Sequence, residues 1–267
     1  MKIRLLVSVV FFLFGIISIN AQGDLNEQKK VFYRNERTFA LILNTDGWGL
    51  GYREGKRVDF LNKKFFEVDF GVLKHPKEYK LSNPYVQSSG SFVFGKLNWA
   101  CYFQGGIGRQ KELYKKADLG GIAIRFIYSG GLALSIYKPV YYRVLYPVSQ
   151  TEYEIRDEKF DVSIAVPQDI YSKSAFTKGL NETKVLPGLY IKGGFNFEYS
   201  KEDKVIHAIE TGAQIMAYPK EIPIMANTDN KAVFLTLFVS YRFGVIVDPL
   251  DPESNKFSNI FRKKKKE

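Results

Sequence analysis

One cysteine and two histidines in 267 residues leave this chain short of the side chains that most often ligate metals or carry nucleophilic chemistry. A lone cysteine, Cys101, excludes an internal disulfide and a cysteine-ligated zinc site. After the N-terminus no apolar run reaches the ~18 residues of a membrane-spanning helix. The slightly polar mean hydropathy of −0.18 argues against a helical membrane bundle. It does not argue against membrane strands, which are apolar only at every second residue. The excess of bases is less than it looks. Lys and Arg number 39 against 28 Asp and Glu, a formal charge of +11. Lys2, Arg4 and the run Arg262 to Lys266 sit at the two ends; without them and Glu267, 32 bases face 27 acids. The body is mildly basic and carries no nucleic-acid-binding signature, so no nucleic-acid partner is expected. Aromatics and glycine, by contrast, are plentiful: 22 Phe, 17 Tyr, 2 Trp and 22 Gly. That much apolar surface excludes low-complexity disorder.

The N-terminus reads as a secretory signal peptide over residues 1–21. Met1 to Arg4 are basic, Leu5 to Ile19 are apolar, and Asn20-Ala21-Gln22 offers a small residue at the cleavage point. No cysteine lies there, so no lipoprotein anchor is expected. Residues 22–37 form a polar segment, expected in the periplasm.

From residue 38 to 244 the chain alternates with period two. In Leu186–Tyr199, Leu189, Ile191, Phe195, Phe197 and Tyr199 face one way and Tyr190, Lys192, Gly194, Asn196 and Glu198 the other. Val233 to Phe243, Lys64 to Val72 and Gly120 to Tyr128 repeat the pattern. The spacing predicts strands at 38–44, 48–54, 63–74, 87–95, 99–109, 119–128, 131–143, 186–199, 205–218 and 232–244. Gly95–Asn98, Ser129–Gly131 and Ser200–Lys204 read as tight turns. Lys74–Val86, Gln110–Asp118, Leu145–Val185 and Pro219–Lys231 read as longer loops.

Short turns at one end and long loops at the other predict an all-β fold, a closed antiparallel transmembrane β-barrel. About ten strands are expected, within a range of 8–12, because an even number returns both ends to one side. A water-soluble sandwich would also alternate, but its second face should be rich in Lys, Glu and Thr. Here that face carries Gly71, Gly106, Gly108, Gly121, Gly194 and Gly212, which suits a narrow lumen shared by large side chains.

With these features the chain resembles small bacterial outer-membrane β-barrel proteins, the broad OmpA/OmpX-like or PorT-like class. The closing run Val239-Ser240-Tyr241-Arg242-Phe243 is similar to the aromatic-ended last strand read by barrel-assembly machinery. It departs from that pattern in not ending the chain, and no peptidoglycan-binding domain follows. The resemblance implies an integral place in the outer membrane of a Gram-negative cell envelope, contact with outer-membrane lipid, and both termini in the periplasm.

Alternation turns Glu67, Asp69, Arg125, Lys192, Glu198, Glu210 and Arg242 inward. Charges in a narrow interior must be paired, so these seven predict a salt-bridged lumen network. A barrel of this size is far below the 16–18 strands of open porins. The function expected is therefore a structural or interaction component of the cell envelope, accessory to secretion or assembly machinery. The alternatives are a narrow solute channel and an outer-membrane lipid-modifying enzyme. No catalytic, cofactor-binding or metal residue is identified, and no enzyme activity is expected. His207 lies three residues before Glu210, on the opposite strand face, and His75 begins a surface loop. Protein partners would dock on loop 145–185, which has its own apolar alternation at Val162, Ile164 and Val166, or on the basic run 262–266 of the tail 245–267.

Overall fold

A computed structural model describes residues 35–247, apart from 87–88, 118–119, 150–151, 162–165, 202–204 and 227–228. The expected signal segment, most of the 22–37 segment, the tail beyond Val247 with its basic run, and Val162 and Ile164 lie outside the described residues.

Thirteen strands follow in chain order among the described residues: β1 (Asn35–Asn44), β2 (Gly47–Arg57), β3 (Asn62–Leu73), β4 (Lys80–Leu81), β5 (Phe92–Val93), β6 (Asn98–Tyr114), β7 (Ala123–Pro139), β8 (Tyr141–Pro147), β9 (Tyr153–Lys159), β10 (Ile170–Lys173), β11 (Lys184–Glu198), β12 (Val205–Ile222) and β13 (Lys231–Val247). Eight of them close a barrel in the order β1-β13-β12-β11-β7-β6-β3-β2, each antiparallel to its neighbours in the sheet. Closure is made by β1 on β13, from Asn35 opposite Val247 to Asn44 opposite Phe238. With no free edge, every strand of the wall has both sides of its backbone paired.

The period-two pattern sets which side chains enter. Leu43, Leu132, Leu189 and Leu235 stand on the outer wall, each more than 60% exposed. Their neighbours one residue along, such as Ile42, Ala133, Tyr190 and Thr236, are buried in the lumen. Such an inside-out distribution leaves a largely apolar wall facing outward.

The strand count falls to eight, the low end of the expected range rather than the favoured ten. Two readings account for the difference. In the expected strand 87–95 the described residues form no wall strand; among them only Phe92–Val93 is extended, paired with Lys80–Leu81 inside the β3–β6 connection. Ser129-Gly130-Gly131 is not a turn: β7 runs straight through it, pairing Ser129 with Gly108, Gly130 with Ile107 and Gly131 with Gly106. Glycine here is spacing rather than punctuation. An inward Cβ at Gly131 would meet the Gly105 carbonyl oxygen at 2.3 Å, and one at Gly106 would meet the Tyr190 hydroxyl at 2.6 Å. The two errors cancel in parity, so the ends stay on one side, but they invert the middle of the map. The connection around 115–122 lies at the end that carries Asn35 and Val247, not among the long loops, and Gly95–Asn98 lies at the opposite end.

The remaining strands build a cap at the long-loop end. The β7–β11 connection folds into a sheet in the order β10-β8-β9, with Tyr141 opposite Lys159 and Pro147 opposite Tyr153. Phe92, Val140, Tyr142, Val144 and Ile170 form its core, so two connections distant in sequence share one apolar cluster. Asn83 ties them by donating to the carbonyls of Gln168 (2.6 Å) and Ile170 (3.1 Å).

Candidate functional site

The lumen is where alternation concentrates unusual chemistry. Each strand contributes every second side chain, and inward glycines make room for the largest. A Cβ at Gly71 would lie 2.4 Å from the Tyr102 ring, and one at Gly108 the same distance from the Phe65 ring. Small-against-large packing of this kind fills a narrow barrel without a pore.

All seven inward charges named from the sequence are buried in the lumen. Five join in one cluster, around Arg53, a residue absent from that set. Arg53, on β2, donates from Nη2 to Glu67 Oε2 at 2.8 Å and from Nη1 to Glu210 Oε1 at 2.6 Å. Its guanidinium also lies 4.2 Å from the centre of the Phe65 ring. Arg242 Nε lies 3.1 Å from Glu210 Oε1, and Asn196 donates to the same oxygen at 2.8 Å. Lys192 binds Asp69 Oδ2 at 2.9 Å and stands 3.9 Å from Glu67 Oε2. Gln104 donates to Asp69 at 3.0 Å and exchanges hydrogen bonds with Gln214, each Nε2 donating to the other's Oε1 at 3.1 Å. Ser129 and Tyr190 complete the shell of Glu67.

Arg125 and Glu198 form a separate pair nearer the chain ends, joined by Lys116, which reaches Glu198 Oε1 at 2.9 Å. Glu36 with Lys63 is a further pair there that the sequence reading omitted. Arg53 was legible: Gly49, Gly51 and Arg53 alternate with Trp48, Leu50 and Tyr52 as the other strands do. Glu36 lies outside the expected strand 38–44, whereas Lys63 is the first residue of the expected strand 63–74 and alternates with Phe65 and Glu67.

Toward the cap the lumen turns apolar. Leu73, Ala100, Tyr102, Ala133, Tyr190, Met216, Tyr218, Ile222, Ile224 and Met225 form one buried cluster. The last two come from the β12–β13 connection, folded inward by Asn230, whose Oδ1 accepts from the backbone N–H groups of Ile224 (2.8 Å) and Met225 (3.1 Å). The β3–β6 connection holds it there: Leu97 N–H donates to the Ile224 carbonyl at 2.9 Å and Ala226 N–H to that of Gly95 at 2.8 Å. Beside this stopper, in the short β1–β2 turn, burial pushes the Asp46 carboxyl up to about 6.

Neither histidine stands in a catalytic arrangement. His207 faces outward between the rings of Tyr199 and Tyr241, with Nδ1 2.8 Å from the Tyr241 hydroxyl. His75 Nδ1 accepts from the Lys77 N–H at 3.2 Å. Among the described residues no three His, Cys, Asp or Glu side chains gather as metal ligands would.

No protein-family model matches the chain, and no curated protein matches it. Solved structures do. The chain is similar to Ail, the attachment invasion locus protein of Yersinia pestis, at 6% identity and a TM-score of 0.37, over 81% of this chain and 99% of that one. It is similar to Neisserial surface protein A at 10% identity and a TM-score of 0.38, over 80% and 97% of the two chains. The N-terminal β-barrel domain of Pseudomonas aeruginosa OprF matches at 8% identity and a TM-score of 0.32, over 79% and 98%.

Proposed function

We propose that this chain is an integral outer-membrane barrel with a closed lumen, and that it acts as a structural or interaction component of the cell envelope. The observation that carries the reading is the inversion of the barrel. Its outer wall exposes Leu43, Leu132, Leu189 and Leu235, while Glu67, Glu210 and Arg242 are no more than 2% exposed inside. Water would reward the opposite arrangement, and lipid rewards this one. The lumen is occupied twice over, by the ion-pair network and by the apolar stopper, so the barrel serves as a rigid post rather than a conduit. What this reading offers to partners is the connection within residues 145–185 and the basic run 262–266. In this reading the cap faces outward and both termini face the periplasm.

Planar-bilayer recording tests the closed lumen. The wild-type barrel is expected to insert without measurable conductance, and Arg53→Ala to admit small, flickering currents. A large, steady wild-type conductance overturns the reading in favour of a channel. Protease added to intact cells tests the orientation: cleavage within 145–185 with the tail spared is expected, and the reverse pattern overturns it.

A further inference from the structure

The outer wall is not uniformly apolar. Lys56 on β2 stands opposite Lys64 on β3, and Lys64 stands opposite Arg109 on β6, all three pointing outward. Like charges directly opposite one another in a sheet repel, and none of the three has an acidic partner among the described residues. Glu54, on the same face, is taken by Arg37 at 3.5 Å, and Glu112 by Arg57 at 3.6 Å. On β7 the row passes to Tyr128, opposite Arg109.

Immediately inward of this row, toward the middle of the wall, lies a groove of about 690 Å³. Its floor is where a side chain is missing: Gly130 faces outward between Ile107 and Ile191. Phe66, Ile107 and Tyr128 line it together with Lys56, Lys64 and Arg109, and with Glu54, whose carboxylate is paired with Arg37. Volumes of this order are those of small-ligand sites. The basic side of the groove lies toward the turn at 58–61, at the same end as Asn35 and Val247.

We infer that this groove binds one anionic glycerophospholipid of the periplasmic leaflet, with an acyl chain over Ile107 and Gly130 and its phosphate on Lys56, Lys64 and Arg109. The inference rests on the outer-membrane reading above and adds a specific site to it. Three unpaired cations at the edge of an apolar surface need an anion at that depth, and lipid headgroups supply one. The apolar floor needs a hydrocarbon, which a free phosphate lacks. A lipid satisfies both halves of the site at once.

Native mass spectrometry of the full-length, detergent-purified barrel tests this. Phosphatidylglycerol and phosphatidylcholine with identical chains are supplied together in equal amounts. Wild type is expected to retain phosphatidylglycerol with about tenfold preference, since each basic residue near a headgroup contributes on the order of a fivefold gain before screening. The triple variant Lys56→Gln, Lys64→Gln, Arg109→Gln is expected to lose that preference. Lys77→Gln, Lys80→Gln, Lys231→Gln, with the same change of net charge at the cap end, is expected to keep it. Ile107→Trp, which fills the groove from an exposed position, is expected to lower retention of both lipids several-fold. Equal retention of the two lipids by wild type, or an equal loss in both triple variants, overturns the site. So does capture of a protein that depends on the three cations while lipid retention does not. Refolding into vesicles, followed by gel mobility with and without heating, separates this from the parent reading. A barrel that inserts yet shows no preference sinks the lipid site alone, and one that fails to insert sinks both.

Discussion

Toward the chain ends the lumen is filled by Arg53, Glu67, Glu210 and Arg242; toward the cap it is filled by Leu73, Tyr102, Tyr218 and Ile224. Both halves exclude solvent, but for different reasons and with different tolerance of error. In the charged half each group is tolerable only because its neighbours are present, since desolvating an ion costs more than one contact returns. One guanidinium serves two carboxylates there, so its loss is felt by both. In the apolar half each side chain contributes its own burial, and damage stays where it is made. The charged half therefore specifies one arrangement, and the apolar half stops the mouth.

The largest expected effect falls on the charged half. Arg53→Ala leaves Glu67 and Glu210 without their shared partner and should cost about 3–5 kcal/mol in urea unfolding from vesicles. The contrast is sharpened if Arg53→Met combined with Glu67→Gln recovers most of that loss, because Glu210 keeps Arg242 and Asp69 keeps Lys192. It breaks if Arg53→Ala alone costs less than about 0.5 kcal/mol, the range of an ordinary surface change.

In the apolar half, Tyr102→Ala should cost about 3 kcal/mol through the cavity it leaves, and no second substitution in the charged half should rescue it. Next comes Gly71→Ala. The new methyl would press on the Tyr102 ring, so a loss of about 1–3 kcal/mol is expected from overpacking. In a Tyr102→Ala background the same substitution should cost little, a coupling that a double-mutant cycle reads directly.

The smallest effect is a pH dependence at the edge of the apolar stopper. The Asp46 carboxyl holds its proton up to about 6, above the ordinary aspartate value of 3.8. The folded state thus binds that proton more tightly than the unfolded chain does. Stability should be highest below the ordinary value and fall as pH rises from 3.8 through about 6. The loss should be about 1 kcal/mol once solvent screening is allowed for, and Asp46→Asn should flatten it. An unchanged slope in that variant would assign the titration elsewhere.

Much of the fold was legible because the side-chain period of a strand is fixed by its geometry. Glu67, Asp69, Lys192 and Arg242 could be placed inward from their position among apolar neighbours alone. Arg53 could have been placed in the same way, since Trp48, Leu50 and Tyr52 alternate with it; a strand ended one residue beyond it hid the pattern. Where local composition misled, glycine was the cause. Gly130 and Gly131 look like a turn in a one-dimensional reading, because glycine is the residue that turns most need. Within the barrel they serve close approach, as Gly131 faces Gly106 across β6 and β7.

By itself, the sequence determined an inside and an outside: a closed sheet with an apolar coat, a charged interior, and both described ends on one side. Those properties follow from a period of two and need no partner to be known. Only the tertiary structure decided which charges meet. Arg53 and Glu210 lie 157 residues apart, and no local pattern pairs them until eight strands close in register. It also decided that residues 89–95 belong to a cap rather than the wall, because Phe92 finds Tyr142 and Ile170 only after the β7–β11 connection folds back over the mouth. Pairing across long separations is a property of closure, and closure is what the chain cannot display one residue at a time.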